Sequence, residues 1–210
     1  MIFFFKRTKN MRGFTLIELL VSLAIFTSVI TIAVGALFSA QAVNARLEQT
    51  QLILDGVNLA VEVMSRDIRY GAAYRCDTAL LTPLQTNRLS CPYTSGIGGT
   101  ALIFKPSVRL PQSIDSLTDR VAYYLSNGAI YKDEYWQAVP GTYTKQTYQI
   151  TPSDVQINTL TFFVNGAEQG DSNQPLITMI VSGTTIPRKS NVKPVTFTVQ
   201  TSASSRALDN

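Results

Sequence analysis

The feature of the sequence that most constrains the fold is an uncharged apolar run from Leu19 to Phe38, interrupted only by Ser and Thr. Its length of about 20 residues is what a helix needs to cross roughly 30 Å of hydrocarbon. The leader at 1–13 contains no acid and four basic side chains: Lys6, Arg7, Lys9 and Arg12. This charge order predicts a membrane helix with its N-terminus in the cytoplasm and the C-terminal bulk of the chain across the membrane.

Glu18 stands at the edge of this run. A carboxylate at the centre of a membrane helix costs on the order of 2.5–3.5 kcal/mol, and it needs a partner or access to water. Glu18 is therefore predicted to be a functional residue. The alternative is that its side chain only reaches the lipid headgroups.

A secretory signal peptide also places basic residues before apolar ones. Its apolar core, however, spans about 7–15 residues and ends in a cleavage site of small residues. Here the small residues 33–36 continue into more helical sequence. An ordinary signal anchor would explain the charge and the length, but it would leave Gly13, Phe14 and Glu18 unexplained.

The segment Arg12-Gly13-Phe14-Thr15-Leu16-Ile17-Glu18 resembles the class III signal of type IV pilins and type II secretion pseudopilins. The resemblance implies that a peptidase cleaves between Gly13 and Phe14 and methylates the nitrogen of Phe14. It also implies that Glu18 meets the N-terminal ammonium of a neighbouring subunit during assembly. The expected division is a leader at 1–13, a transmembrane and assembly helix at 14–40, and a periplasmic α+β domain at 41–210.

Residues 39–70 contain no Pro and carry an apolar stripe on an otherwise polar helix, which predicts a helix that continues to about residue 70. The stripe includes Leu47, Leu54, Val57, Val61, Met64 and Ile68. The charged residues of the opposite face, Arg46, Glu48, Asp55, Glu62, Arg66 and Asp67, are expected to be solvated. We expect the stripe to pack on a sheet, and a short coiled coil is the alternative. The helix end Asp67-Ile68-Arg69 is similar to that of W-type minor pilins and J-type pseudopilins.

The sequence after residue 70 predicts antiparallel strands. Between residues 71 and 111 we expect a loop region with one strand, Ala101–Lys105. Asn127-Gly128 between apolar runs predicts a hairpin of Val121–Leu125 with Ala129–Lys132. Further strands are expected at Thr159–Val164, Leu176–Val181 and Val195–Thr201. The predicted fold class is α+β, in which a long N-terminal helix packs on an antiparallel β-sheet, and the resemblance to pilins implies the same fold.

Cys76 and Cys91 are the two cysteines of the chain. The inferred topology places them in an oxidising compartment, so we expect a disulfide between them, with two free buried thiols as the alternative. We expect no metal site, because two cysteines without any histidine do not complete a tetrahedral zinc shell unless carboxylates join them.

The composition argues against catalysis and gives no indication of nucleic-acid binding. The formal charge is +4, but the leader supplies four basic residues, and the rest balances at 14 basic against 14 acidic. Histidine is absent, and no phosphate loop or nucleophile motif is present. We expect no enzymatic activity and no cofactor. An aromatic segment with Tyr131, Tyr135, Trp136, Tyr143 and Tyr148 is expected to pack at the edge of the sheet, and base stacking is the alternative.

The resemblance implies a structural role. We expect a minor pilin that helps to initiate a type IV pilus near its tip. The alternatives are a minor pseudopilin of a type II secretion system and a tip pilin that binds DNA or surfaces. The implied partners are other minor pilins or pseudopilins, the major pilin and the prepilin peptidase, at the bacterial inner membrane. Tip-capping pseudopilins typically lack the glutamate that Glu18 resembles, so its presence places this subunit just below the extreme tip.

Overall fold

The computed structural model describes residues 13–78, 87–92, 95–108, 110, 113, 115, 117–168, 170, 173–187 and 193–206, without the side chains of 45, 46, 49, 50 and 52–54. The expected leader, apart from Gly13, lies outside the described residues. Contacts divide the chain into two compact units, Met1–Arg46 and Leu47–Asn210. The elements are α1 (Leu16–Tyr70), β1 (Ala72–Asp77), β2 (Ala101–Lys105), β3 (Arg120–Ser126), β4 (Ala129–Val139), β5 (Thr142–Gln149), β6 (Val155–Asn165), β7 (Leu176–Thr185) and β8 (Thr196–Ser204).

The helix α1 has 55 residues, and its interior contains no Pro. In the first unit, every described side chain from residue 13 to 44 is exposed. In the second unit, the predicted stripe is buried from Val57 onward. The buried members are Val57, Val61, Met64 and Ile68, which join one apolar core with residues of both sheets. Leu47 is 55% exposed and contributes nothing to that core, and the side chain of Leu54 lies outside the described residues.

The first sheet has five antiparallel strands in the order β1-β2-β3-β4-β5. The predicted hairpin is confirmed as β3–β4, with Ser126 opposite Ala129. Its two turn residues have positive φ angles, 48° for Asn127 and 74° for Gly128. Asn-Gly accepts this conformation readily, which is why the pair marks a tight hairpin turn.

Two strands of this sheet were not predicted. The region from residue 71 to 111 was expected to contain one strand, which is wrong, because β1 pairs with β2 along Ala72–Asp77. The strand β4 continues past Lys132 to Val139, and β5 follows it. The aromatic segment therefore lies in the pair of strands β4 and β5.

The second sheet has three antiparallel strands in the order β6-β7-β8. Isolated bridges of Cys91 to Val164 and of Gly99 to Phe162 connect the segment after β1 to β6. Both sheets share one core, in which Phe104 and Tyr123 of the first sheet and Phe162 of the second are buried. The predicted fold class is confirmed: a long N-terminal helix precedes antiparallel sheets, two in number where one was expected.

Candidate functional site

The N-terminal end of α1 is built around a helix cap. Gly13 and Phe14 precede the helix, and the Phe14 side chain is 76% exposed. The backbone N–H of Glu18 donates to Thr15 Oγ1 at 3.3 Å. Thr15 therefore caps the helix, and Glu18 occupies the third helical position, as in a Ser/Thr-x-x-Glu capping box. A carboxylate in the first turn is also favoured by the helix dipole.

This capping arrangement gives Glu18 a local role that the sequence analysis did not identify. The spacing of Thr15 and Glu18 is the signal that would have revealed it. The cap places Glu18 about one helical turn from the Gly13–Phe14 junction. The predicted processing and assembly residues therefore lie together at one end of α1.

The segment Leu16–Asn44 is long and apolar enough to cross a membrane, with a mean hydropathy of 2.3 and no part of its most apolar window buried. Glu18 is the one ionisable residue in this segment. Hydroxyl groups inside it bond to the helix itself: Ser22 Oγ donates to the Glu18 carbonyl at 2.7 Å, and Thr31 Oγ1 donates to the Thr27 carbonyl at 2.8 Å. The helix therefore offers hydrocarbon neighbours an almost entirely apolar surface, which suggests membrane anchoring.

Cys76 and Cys91 form a disulfide with a Cα–Cα distance of 5.9 Å. Cys76 lies in β1, and Cys91 exchanges two backbone hydrogen bonds with Val164 of β6. The bridge therefore ties the edge of the first sheet to the second. Gly99 packs against it so closely that a Cβ there would lie 2.3 Å from Cys76 Sγ.

A polar network joins α1 to the first sheet. Tyr123 Oη donates to Asp67 Oδ2 at 2.7 Å, and Lys132 Nζ lies 2.9 Å from Asp67 Oδ2 and 2.9 Å from Glu134 Oε1. Burial would lower the pKa of Lys132, but the hydrogen bonds from its ammonium to the two carboxylates outweigh burial and raise that pKa. Asp67 was expected to be solvated, which is wrong, because the network draws it toward the sheet.

A groove of about 570 Å³ adjoins this network, between the last turns of α1 and the segment that follows β2. Its surface is mostly apolar, with Phe104, Val121 and Leu110 among the lining residues. Three of its charged groups, Asp67, Lys132 and Glu134, are already paired with one another. Within the described residues, the groove therefore holds no arrangement of an acid, a base and a nucleophile.

The aromatic segment surrounds a buried carboxylate. Asp133 has no exposed surface and accepts hydrogen bonds from Tyr124 Oη at 3.2 Å and Tyr135 Oη at 3.1 Å. Lys145 Nζ lies 3.4 Å from its Oδ2 atom. Burial and the nearby Asp133 carboxylate raise the pKa of Tyr124 to about 12 and raise that of Tyr135 as well. Tyr124 of β3 and Lys145 of β5 are thus joined through Asp133 of β4. Tyr135 and Trp136 are buried, as the packed-sheet interpretation expects, whereas Tyr143 and Tyr148 are exposed.

Comparison with protein families found a match at residues 8–37 to the model described as the prokaryotic N-terminal methylation motif. Comparisons with curated proteins and with solved structures found no match. The matched residues include Gly13, Phe14 and Glu18 and end within α1, so the match does not extend to the β-sheets. The chain carries at its N-terminus the methylation motif that is characteristic of type IV pilins and pseudopilins.

Proposed function

We propose that this chain is a minor pilin that helps to initiate a type IV pilus and lies just below its extreme tip. The observation that carries the proposal is the position of Glu18. It is the one ionisable residue of the apolar segment, and it lies one helical turn from the Gly13–Phe14 junction. The matched methylation motif supports cleavage at that junction.

Cleavage after Gly13 would remove the leader 1–13 and create an ammonium group on Phe14. Residues 14–40 would then form the transmembrane and assembly helix, and residues 41–210 the periplasmic domain. An ammonium and a carboxylate in a medium of low dielectric each reduce the desolvation penalty of the other. Apolar packing discriminates little between lipid and protein neighbours. The Phe14–Glu18 pair between adjacent subunits would therefore set the register of assembly.

The proposed role is structural and not enzymatic. Its partners would be the prepilin peptidase during maturation, and other minor pilins and the major pilin during assembly, at the inner membrane. A minor pseudopilin of a type II secretion system uses the same chemistry and is the second candidate. Genes adjacent to the coding sequence would distinguish the two, because pilus and secretion components are encoded in different groups.

The test is the variant Glu18→Ala in the full chain, with Ser22→Ala as a matched control one turn along the helix. We expect Glu18→Ala to leave membrane insertion and cleavage after Gly13 unchanged. Its recovery in crosslinked complexes with other pilins should fall at least tenfold, because the register-setting pair is lost. Assembly equal to that of the parent chain would contradict the proposed role of Glu18.

A further inference from the structure

The strand β5 forms one end of the first sheet, and in the described part of the chain it has a neighbour on one side only. Seven of its eight residues are exposed, so neither face of the strand is covered. Its sequence, Thr-Tyr-Thr-Lys-Gln-Thr-Tyr-Gln, is rich in residues that favour strands and contains no Pro. An exposed edge of this kind is a template for pairing with another chain.

The other sheet edges in the described residues are more protected. The edge strand β1 exchanges hydrogen bonds with Leu89, and β6 exchanges them with Cys91 and Gly99. The strand β8 is half-buried at alternate residues, so one of its faces is covered. In the described structure, β5 is the edge that is open on both faces.

The register of β4 and β5 identifies which backbone groups are available. Ile150 N donates to Ile130 O at 2.9 Å, and Tyr131 lies opposite Gln149. Hydrogen-bonded and non-hydrogen-bonded pairs alternate in an antiparallel ladder. The even-numbered residues of β5 therefore bond to β4. The N–H and C=O groups that point away from the sheet belong to Tyr143, Lys145, Thr147 and Gln149.

Natural edge strands are often protected by an outward-pointing lysine. Lys145 is the one charged residue of β5, and its ammonium is directed back toward the sheet. It lies 3.4 Å from Asp133 Oδ2 and 5.9 Å from the centre of the Tyr135 ring. The charge that would discourage pairing is thus partly compensated from within the chain.

We propose that β5 pairs with an extended strand from the neighbouring subunit of the filament. That strand would become the sixth strand of the first sheet. Because both faces of β5 are exposed, the incoming strand should be polar on both faces. Since Lys145 is the only charge on the edge, a carboxylate opposite it is favoured. This inference rests on the proposed function, because it requires that the chain is assembled with other pilins.

The test is residue-resolved amide hydrogen exchange of the full chain, measured in the unassembled state and in the assembled complex. The amides of Tyr143, Lys145, Thr147 and Gln149 point away from the sheet. They should exchange freely before assembly and at least tenfold more slowly after it. The amides of Thr144, Gln146 and Tyr148 already bond to β4, so their exchange should change little. This alternating pattern distinguishes strand addition from side-chain packing, which would slow neighbouring amides alike.

A second variant tests the same inference by assembly. Thr147→Pro removes an outward-pointing N–H and leaves the ladder to β4 intact, whereas Thr147→Ala keeps that N–H. We expect Thr147→Pro to reduce recovery in the complex at least fivefold relative to Thr147→Ala. Incorporation with unprotected or uniformly protected β5 amides would overturn the inference and leave the proposed function standing. Failure of the parent chain to assemble at all would contradict the proposed function itself.

Discussion

At the scale of single residues, the network around Lys132 shows how a half-buried cation joins a helix to a sheet. Its ammonium lies between Asp67 of α1 and Glu134 of β4 at 2.9 Å from each. The side chains of Lys132 and Asp67 are 18% and 22% exposed, so solvent screens the pair only in part. Loss of the cation would leave two carboxylates close together without compensation.

We therefore expect Lys132→Met to lower the free energy of unfolding by about 1–3 kcal/mol, the usual range for lost hydrogen bonds to charged groups. Arg66→Met, on the same turn of α1 as Asp67 but exposed, is the control and should change stability by less than about 0.5 kcal/mol. Urea unfolding measures both. Equal effects of the two substitutions would show that the network contributes nothing specific.

Burial of tyrosines predicts a limit to stability at alkaline pH. Burial raises the pKa of Tyr74 to about 12 from its usual value of 10.0. A raised pKa in the folded state stabilises the fold fully below pH 10, and this contribution is lost as the pH rises from about 10 to 12. Titration of Tyr74 should therefore not change the unfolding free energy near neutral pH. Above about pH 10 it should lower that free energy.

The variant Tyr74→Phe should make that alkaline decline less steep, because the buried ring no longer ionises. Tyr143→Phe, at a ring that is 56% exposed, is the control. Unfolding at a series of pH values, followed with tyrosinate absorbance, measures this. A slope unchanged by Tyr74→Phe would refute the assignment.

At the scale of elements, the disulfide joins β1 to Cys91, whose backbone pairs with Val164 of β6. Removing it with Cys76→Ser and Cys91→Ser should lower the unfolding free energy by about 3 kcal/mol, the loop-closure value for a loop of about 15 residues.

Gly99→Ala should also destabilise the oxidised protein, because the new Cβ would lie 2.3 Å from Cys76 Sγ and 2.7 Å from the Asp77 carbonyl oxygen. Denaturant unfolding with thiol titration tests both, and two titratable thiols in the untreated parent would contradict the bridge.

The elements differ in how well the sequence predicts them. The helix and the β3–β4 hairpin were predicted because their signals are local: an apolar period and the Asn127-Gly128 pair. The strand β1 was missed because its partner β2 lies far along the sequence. In β5 both faces are polar, so no alternation marks it, and it is a strand because β4 pairs with it. Asp67 was misplaced for a similar reason, since Tyr123 and Lys132 lie far from it in the sequence.

At the scale of the whole molecule, the N-terminal segment was the most informative part of the sequence. Residues 12–18 alone indicated the pilin family, and the matched methylation motif covers the same residues. The second unit carries a polar network and an open edge strand, and no short sequence motif predicts either of them. We therefore propose that the N-terminal segment sets processing and assembly and that the second unit sets the choice of neighbours.

The most direct test of the account is the mass of the mature chain purified from membranes. We expect an N-terminus at Phe14 that carries one methyl group, because the peptidase should cleave after Gly13. Gly13→Leu should keep the leader attached and serves as the control. A mature N-terminus beyond Ala36 would identify an ordinary signal peptide and contradict cleavage after Gly13.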